Sequence, residues 1–127
     1  MTAPAAAGLL FLAGGFGTLA RFGCNRLFHG VWLWNVPWGT AVVNIIGCFC
    51  FGLLAELFER KAGWPPEVKT LVLTGFFGAF TTFSTYMFEM HDLLARGNAF
   101  HALCGFLVQN GVGFSALILG VFLAQRY

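Results

Sequence analysis

Thr74-Gly75-Phe76-Phe77-Gly78-Ala79-Phe80-Thr81-Thr82-Phe83-Ser84-Thr85-Tyr86 lies in the middle of an apolar run from Val68 to Met90, where a membrane-spanning helix is expected. Those thirteen positions hold two glycines, five Ser or Thr residues and four phenylalanines. Glycine costs about 1 kcal/mol per helical position relative to alanine, and Ser and Thr offer the backbone competing hydrogen bonds. The segment is therefore under-specified as a helix at a depth where lipid penalises every unpaired backbone group. Irregular backbone survives there only when it is buried in protein or lines a cavity. The stretch marks a pore or a site.

The rest of the chain sets the context. Of 127 residues 58% are hydrophobic and only 9% charged, against roughly 25% charged in soluble domains. The mean hydropathy is +0.78. Lipid is the solvent this composition implies, and spans of about 20 residues each divide the chain into four. They fall at about 5–24, 38–57, 68–90 and 99–125, so residues 1–127 form one multi-pass integral membrane domain. No Lys or Arg precedes the first apolar stretch, so a cleaved signal peptide is not expected. No basic patch points to nucleic acid. Cys24, Cys48, Cys50 and Cys104 lack CxxC spacing and sit in or beside apolar runs, as small packing residues do.

Small residues fill the middle of span one, from Ala13 to Ala20, as close helix contact in a membrane requires. Arg21 and Arg26 close that span. The tryptophans of the first loop, Trp32, Trp34 and Trp38, read as an interfacial belt, and Pro37 opens span two. Lys and Arg divide almost evenly. Arg60, Lys61, Lys69 and Arg126 share one side, and Arg21, Arg26 and Arg96 the other. With so little asymmetry nothing fixes one orientation, and an antiparallel, dual-topology homodimer follows as an expectation.

The polar residues have two readings each. Arg21 either snorkels to the headgroups or stands as a fixed positive charge at the mouth of an anion path. Thr40, Asn44 and Gly47 share one face of span two. Asn44 either ties two helices together or donates to a ligand in a wet path. Gln109 and Asn110 are adjacent, so they point different ways, and at least one works between helices. Phe76, Phe80, Phe83 and Met87 recur at helical spacing, ordinary for packing. Ring edges nevertheless carry the positive end of the quadrupole, and Phe83 and Tyr86 would present neighbouring edges. Spans one, two and four contain no Asp or Glu in mid-membrane, which weighs against a proton-coupled exporter. His29, His91 and His101 flank loops rather than pairing at haem depth. Acid/base, nucleophile and metal constellations of an enzyme are missing from the sequence.

Along essentially its whole length the chain resembles the Fluc fluoride channels, also called CrcB proteins. The resemblance rests on Gly17-Thr18-Leu19-Ala20-Arg21-Phe22, on Gly39-Thr40-Ala41-Val42-Val43-Asn44-Ile45-Ile46-Gly47, and on Gly75 to Thr85 followed by Glu89. It implies an all-α membrane protein with its third helix broken at mid-membrane, paired as an antiparallel homodimer with two pores. It further implies passive export of fluoride across the cell's inner (plasma) membrane, and a structural sodium ion at the dimer centre. By position, the main-chain carbonyls of Gly78 and Thr81 would hold that ion. Asn44 matches the family's pore asparagine and Arg21 its vestibule arginine, while Phe83 and Tyr86 fall on its paired pore phenylalanines. Ser84, Thr85 and Thr40 fall where the family lines or supports its pore, and Glu89 matches its acidic residue after the motif. The chain departs from the pattern in two places. Tyr86 adds a hydroxyl to a pore ring, and span four carries Asn110 and Ser115 in place of a serine series, so that Asn110 is its weakest carry-over. A small multidrug exporter and a non-transporting membrane assembly subunit are the alternatives. The first requires a carboxylate deep in span one, and the second His ligands inside the spans.

Overall fold

The computed structural model describes residues 2–28, 32–33, 36–61 and 63–127. His29 and Trp34 of the first loop lie outside them. The chain forms α1 (Ala3–Leu27), a two-residue antiparallel ribbon of β1 (Trp32–Leu33) and β2 (Val36–Pro37), and α2 (Trp38–Arg60). The third span follows in four pieces: α3 (Pro66–Lys69), a π-helical stretch over Thr70–Phe77, α4 (Gly78–Phe80) and α5 (Phe83–Ala95). Helix α6 (Ala99–Ala124) completes the chain. Among the described residues, four segments are long and apolar enough to cross a bilayer: Ala3–Leu27, Trp38–Arg60, Pro66–Ala95 and Ala99–Ala124. They are 25, 23, 30 and 26 residues long, each beyond the roughly 20 that a span needs.

Local chemistry explains the ends. Pro4 and Pro66 occupy first-turn positions of α1 and α3, where no backbone donor is lost. Helix α5 stops in a Schellman turn, with Gly97 at φ +77, its amide on Leu94 O at 3.0 Å and that of Asn98 on Leu93 O at 2.9 Å. The opposite end of the bundle is tied by polar contacts. Arg60 donates to Gln125 O at 2.7 Å, and Lys69 pairs with Glu59 at 3.1 Å.

Helices α2 and α6 pack most extensively, side by side and in the same direction. Their approach needs small residues: a Cβ on Gly52 would overlap Leu117 O, and one on Gly120 would overlap Phe49 O. Helix α1 packs on the π-helical stretch and α4, and α5 packs on α6. Two small cores result. One gathers Val43, Phe77 and Phe80, with Cys24 and Cys50 packed against it; the other gathers Tyr86, Met90, Leu93 and Ala102. No more than 28% of the apolar window of any span is covered by the rest of the chain. Phe11, Phe16, Phe88, Phe100 and Phe114 all face outward. With so much apolar surface uncovered on four helices of spanning length, the chain is a multi-pass membrane protein.

The third span breaks where its composition places the defect, and more elaborately than glycine content alone implies. Eight residues before Gly78 are π-helical, and the Gly78 amide still bonds Leu73 O, five residues back. One α-turn follows. Thr81 (φ −81, ψ 159) and Thr82 (φ −149, ψ 112) are then fully extended before α5 begins. The aromatic stripe is divided by this step. Phe76 stacks on Phe80 at 6.0 Å within the bundle, whereas Phe83, beyond the break, is 70% exposed.

Candidate functional site

The extended pair Thr81-Thr82 leaves peptide groups with no helical partner, and side chains from other helices meet them. Asn44 on α2 clamps Thr82 at both ends: its Oδ1 accepts the Thr82 amide at 2.9 Å, and its Nδ2 donates to Thr82 O at 3.1 Å. In a continued helix that amide would close on Gly78 O. Arg21, well inside α1, donates from Nη1 to Thr81 O at 3.3 Å. The Thr81 hydroxyl bonds back to Phe77 O at 2.9 Å, capping the end of α4. Thr82 restarts the chain as the N-cap of α5, its Oγ1 accepting the Thr85 amide at 3.3 Å while its hydroxyl donates to Thr85 Oγ1 at 3.0 Å. Thr81 and Thr82 are thus braced by side chains of α1 and α2 and by their own hydroxyls.

Gly47, one turn beyond Asn44 on α2, lies against this segment so closely that a Cβ there would overlap Thr81 Cγ2. One turn before Asn44, buried Thr40 donates to Glu89 Oε1 at 2.5 Å. The shared face of Thr40, Asn44 and Gly47 thus tracks the third span from Glu89 to Thr82 to Thr81. Glu89 Oε2 is buried without a partner.

Beside the break a groove of about 260 Å³ runs between α2, α5 and α6. Asn44, Gly47, Cys48 and Phe51 line it from α2; Thr81, Thr82, Phe83 and Tyr86 from the third span; and Gln109, Asn110 and Leu117 from α6. The Phe83 and Tyr86 rings meet edge-on at 5.9 Å and 73°. Tyr86 is buried, and its hydroxyl accepts from Asn110 Nδ2 at 2.7 Å. Gln109 accepts from Asn44 Nδ2 at 3.0 Å. The two adjacent amides of α6 point differently yet wall the same groove, one joined to α2 and the other to α5.

Of the residues singled out in the sequence, Asn44, Phe83, Tyr86, Asn110 and Thr81 come together at the groove. Thr40 and Glu89 form a pair next to it, and Arg21 reaches the break from the α1 side. Ser84 and Thr85 are exposed and do not line it. Thr82 was not among the expected site residues, and Gln109 was expected only to share with Asn110 the work of joining helices. A threonine just ahead of a helical stretch is a preferred N-cap, and that is the signal by which Thr82 could have been found. Nothing local distinguishes Gln109. No group of three or more His, Cys, Asp or Glu suited to a metal occurs among the described residues.

The span broken at Thr81-Thr82 and braced by Asn44 and Arg21 lies within the stretch of chain that known proteins match. The family model described as CrcB-like protein, Camphor Resistance (CrcB), matches residues 8–121. The chain belongs to the CrcB family. Among CrcB relatives it is similar to the fluoride-specific ion channel FluC of Solidesulfovibrio magneticus, 44% identical over 93% of this chain and 94% of that one. Its likeness to the FluC of Maridesulfovibrio salexigens is 42%, over 92% and 94%. To that of Nitrosococcus oceani it is 40%, over 90% and 91%. CrcB membership thus spans all four helices and includes the break, α2's polar face and the groove wall of α6.

Proposed function

We propose that the chain is a fluoride-selective channel, not an enzyme, that lets fluoride leave the cell passively across the plasma membrane. The observation that carries this reading is the convergence of Asn44, Phe83 and Tyr86 on one groove at the break. The similarity to relatives named fluoride-specific ion channels supports it. Fluoride is small and strongly hydrated, so a path through lipid must offer donors in place of water. Amides, hydroxyls and positive ring edges do so without a deep charge that would trap the ion, and conduction needs sites weak enough to leave. Arg21 adds a fixed positive charge on the far side of the break, close enough to favour anions without lining the groove.

The working unit in this reading is an antiparallel homodimer. The near-even division of Lys and Arg supports insertion in both orientations, and the outward-facing apolar helices provide surface for a second copy as well as for lipid. A sodium ion belongs to the same proposal. The break supplies uncharged main-chain oxygens at Gly78 and Thr81, a donor set that suits a hard monovalent cation. The Thr82 amide is drawn away from Gly78 by Asn44, and Arg21 occupies one of the two lone pairs of Thr81 O. Gly78 and Thr81 would hold the ion, which supplies positive charge between the two anion paths.

Fluoride efflux from liposomes containing the purified protein, with chloride as the control ion, tests the reading. Fluoride flux far above chloride flux is expected. Equal flux of both ions, or none, overturns it.

A further inference from the structure

We infer that the amide of Gln109 is an anion-donating group of this groove, held in its donating orientation by Asn44. The inference rests on the channel reading and assigns a donor within it.

The hydrogen bonds of the groove's polar side chains single out one group. Asn44 spends Nδ2 on Thr82 O and Gln109 Oε1, and its Oδ1 takes the Thr82 amide. The Thr81 hydroxyl is given to Phe77 O, and that of Thr82 to Thr85. Asn110 Nδ2 is shared between Tyr86 Oη and Phe106 O at 2.7 and 2.8 Å. The Tyr86 hydroxyl turns toward Phe106 O at 3.4 Å. Gln109 is 7% exposed and walls the groove, yet its Nε2 has no hydrogen-bond partner.

An unmet buried donor costs about 1–3 kcal/mol, a cost that a site bears when a ligand meets the group. The Asn44 bond to Oε1 settles which end of the Gln109 amide is which, leaving the N–H rather than the C=O unpaired in a side chain that walls the groove. An N–H group only donates, so the ligand is an acceptor, and an anion gains most from it. Because the amide is neutral, it can be left again, as conduction requires. In this account Asn44 is the positioning residue, and the ion meets the side chain that Asn44 orients.

Two variants of the full-length protein in liposomes test the assignment, alongside wild type. Gln109→Met keeps the bulk and removes the donor; its fluoride flux is expected to fall about tenfold or more, the worth of one hydrogen bond to a charged group. Gln109→Glu still accepts from Asn44 but offers no donor while ionised. Protonation restores an O–H, so its flux, taken as a ratio to wild type, is expected to rise several-fold from neutral to mildly acidic pH. Titratable neighbours on α2 and the third span (Cys48, Tyr86, Glu89) and Arg21 on α1 are common to both proteins, so the ratio cancels them, and α6 carries none between 109 and 117. Protein-free vesicles give the background leak of undissociated acid. Gln109→Met conducting within twofold of wild type overturns the assignment. A Gln109→Glu ratio that does not rise on acidification overturns it too, and decides the matter if Gln109→Met fails to assemble. Wild-type protein that passes no fluoride, or passes chloride equally, instead removes the channel reading beneath it.

Discussion

Asn44 holds Thr82 by both ends of its backbone, taking the amide on Oδ1 at 2.9 Å and giving Nδ2 to the carbonyl at 3.1 Å. One side chain on α2 thereby replaces two hydrogen bonds that the third span gives up at its break. Without that clamp, extended backbone at mid-membrane would carry two unmet polar groups, each costing several kcal/mol in lipid.

Asn44→Asp separates the two halves of the clamp. The new carboxylate still accepts the Thr82 amide, but it cannot donate to Thr82 O or to Gln109 Oε1, and it sets negative charge against both oxygens. Fluoride flux is expected to fall by more than tenfold, with stability lowered by about 2–4 kcal/mol. Flux from liposomes and a thermal melt in detergent measure the two effects. Wild-type flux would remove Asn44 from the pathway.

Tyr86 is where the groove differs from a pair of phenylalanines. Its ring carries the edge contact to Phe83, and its hydroxyl accepts from Asn110, which also has Phe106 O at 2.8 Å. Tyr86→Phe therefore leaves Asn110 with a partner and the ring in place. Stability is expected to change by about 1 kcal/mol or less, and fluoride flux to stay within a few-fold of wild type. Tyr86→Ala removes a buried ring and is expected to cost about 3–5 kcal/mol together with most of the flux. Equal losses in the two variants would place the function in the hydroxyl instead.

The four spans and the site of the break were legible in the sequence because lipid restricts what composition can encode. A 20-residue apolar run has one stable form there, and glycines with hydroxyls inside such a run mark the exception. The π-helical stretch over Thr70–Phe77 was not legible: widening a helix by one residue per turn changes hydrogen-bond partners without demanding particular side chains. The same limit hid the roles at the groove. Asn44 showed as a polar group needing partners, but Thr82 and Gln109 are 38 and 65 residues away, and sequence spacing says nothing of contacts between helices. Arg21 reads as a helix end by composition, whereas α1 continues to Leu27 and the guanidinium reaches Thr81 O.

Gly47 is the position where α2 and the break touch. A Cβ there would overlap Thr81 Cγ2, and Thr81 cannot easily turn away because its hydroxyl is bonded to Phe77 O at 2.9 Å. Gly47→Ala is expected to destabilise by about 1–3 kcal/mol, despite alanine's better helix propensity, and to reduce fluoride flux. A melt at or above the wild-type temperature would mean that the two elements part without cost.

Thr40 and Glu89 form the polar contact at the edge of the groove, with Thr40 4% exposed and its hydroxyl 2.5 Å from Glu89 Oε1. The other carboxyl oxygen is buried without a partner, so this hydroxyl is the contact that meets the group. Thr40→Val keeps the shape and removes the donor, which is expected to cost about 1–3 kcal/mol because a buried oxygen is left unmet. Glu89→Gln supplies its own N–H donors and carries no charge, so loss of the Thr40 hydroxyl should matter less beside it. In a double-mutant cycle read by thermal or denaturant unfolding in detergent, Thr40→Val is therefore expected to cost at least about 0.5 kcal/mol less in the Glu89→Gln background than in wild type. Additive losses would show that the two side chains are neighbours without being coupled, and that Glu89 is held by its surroundings on α5 and not by α2.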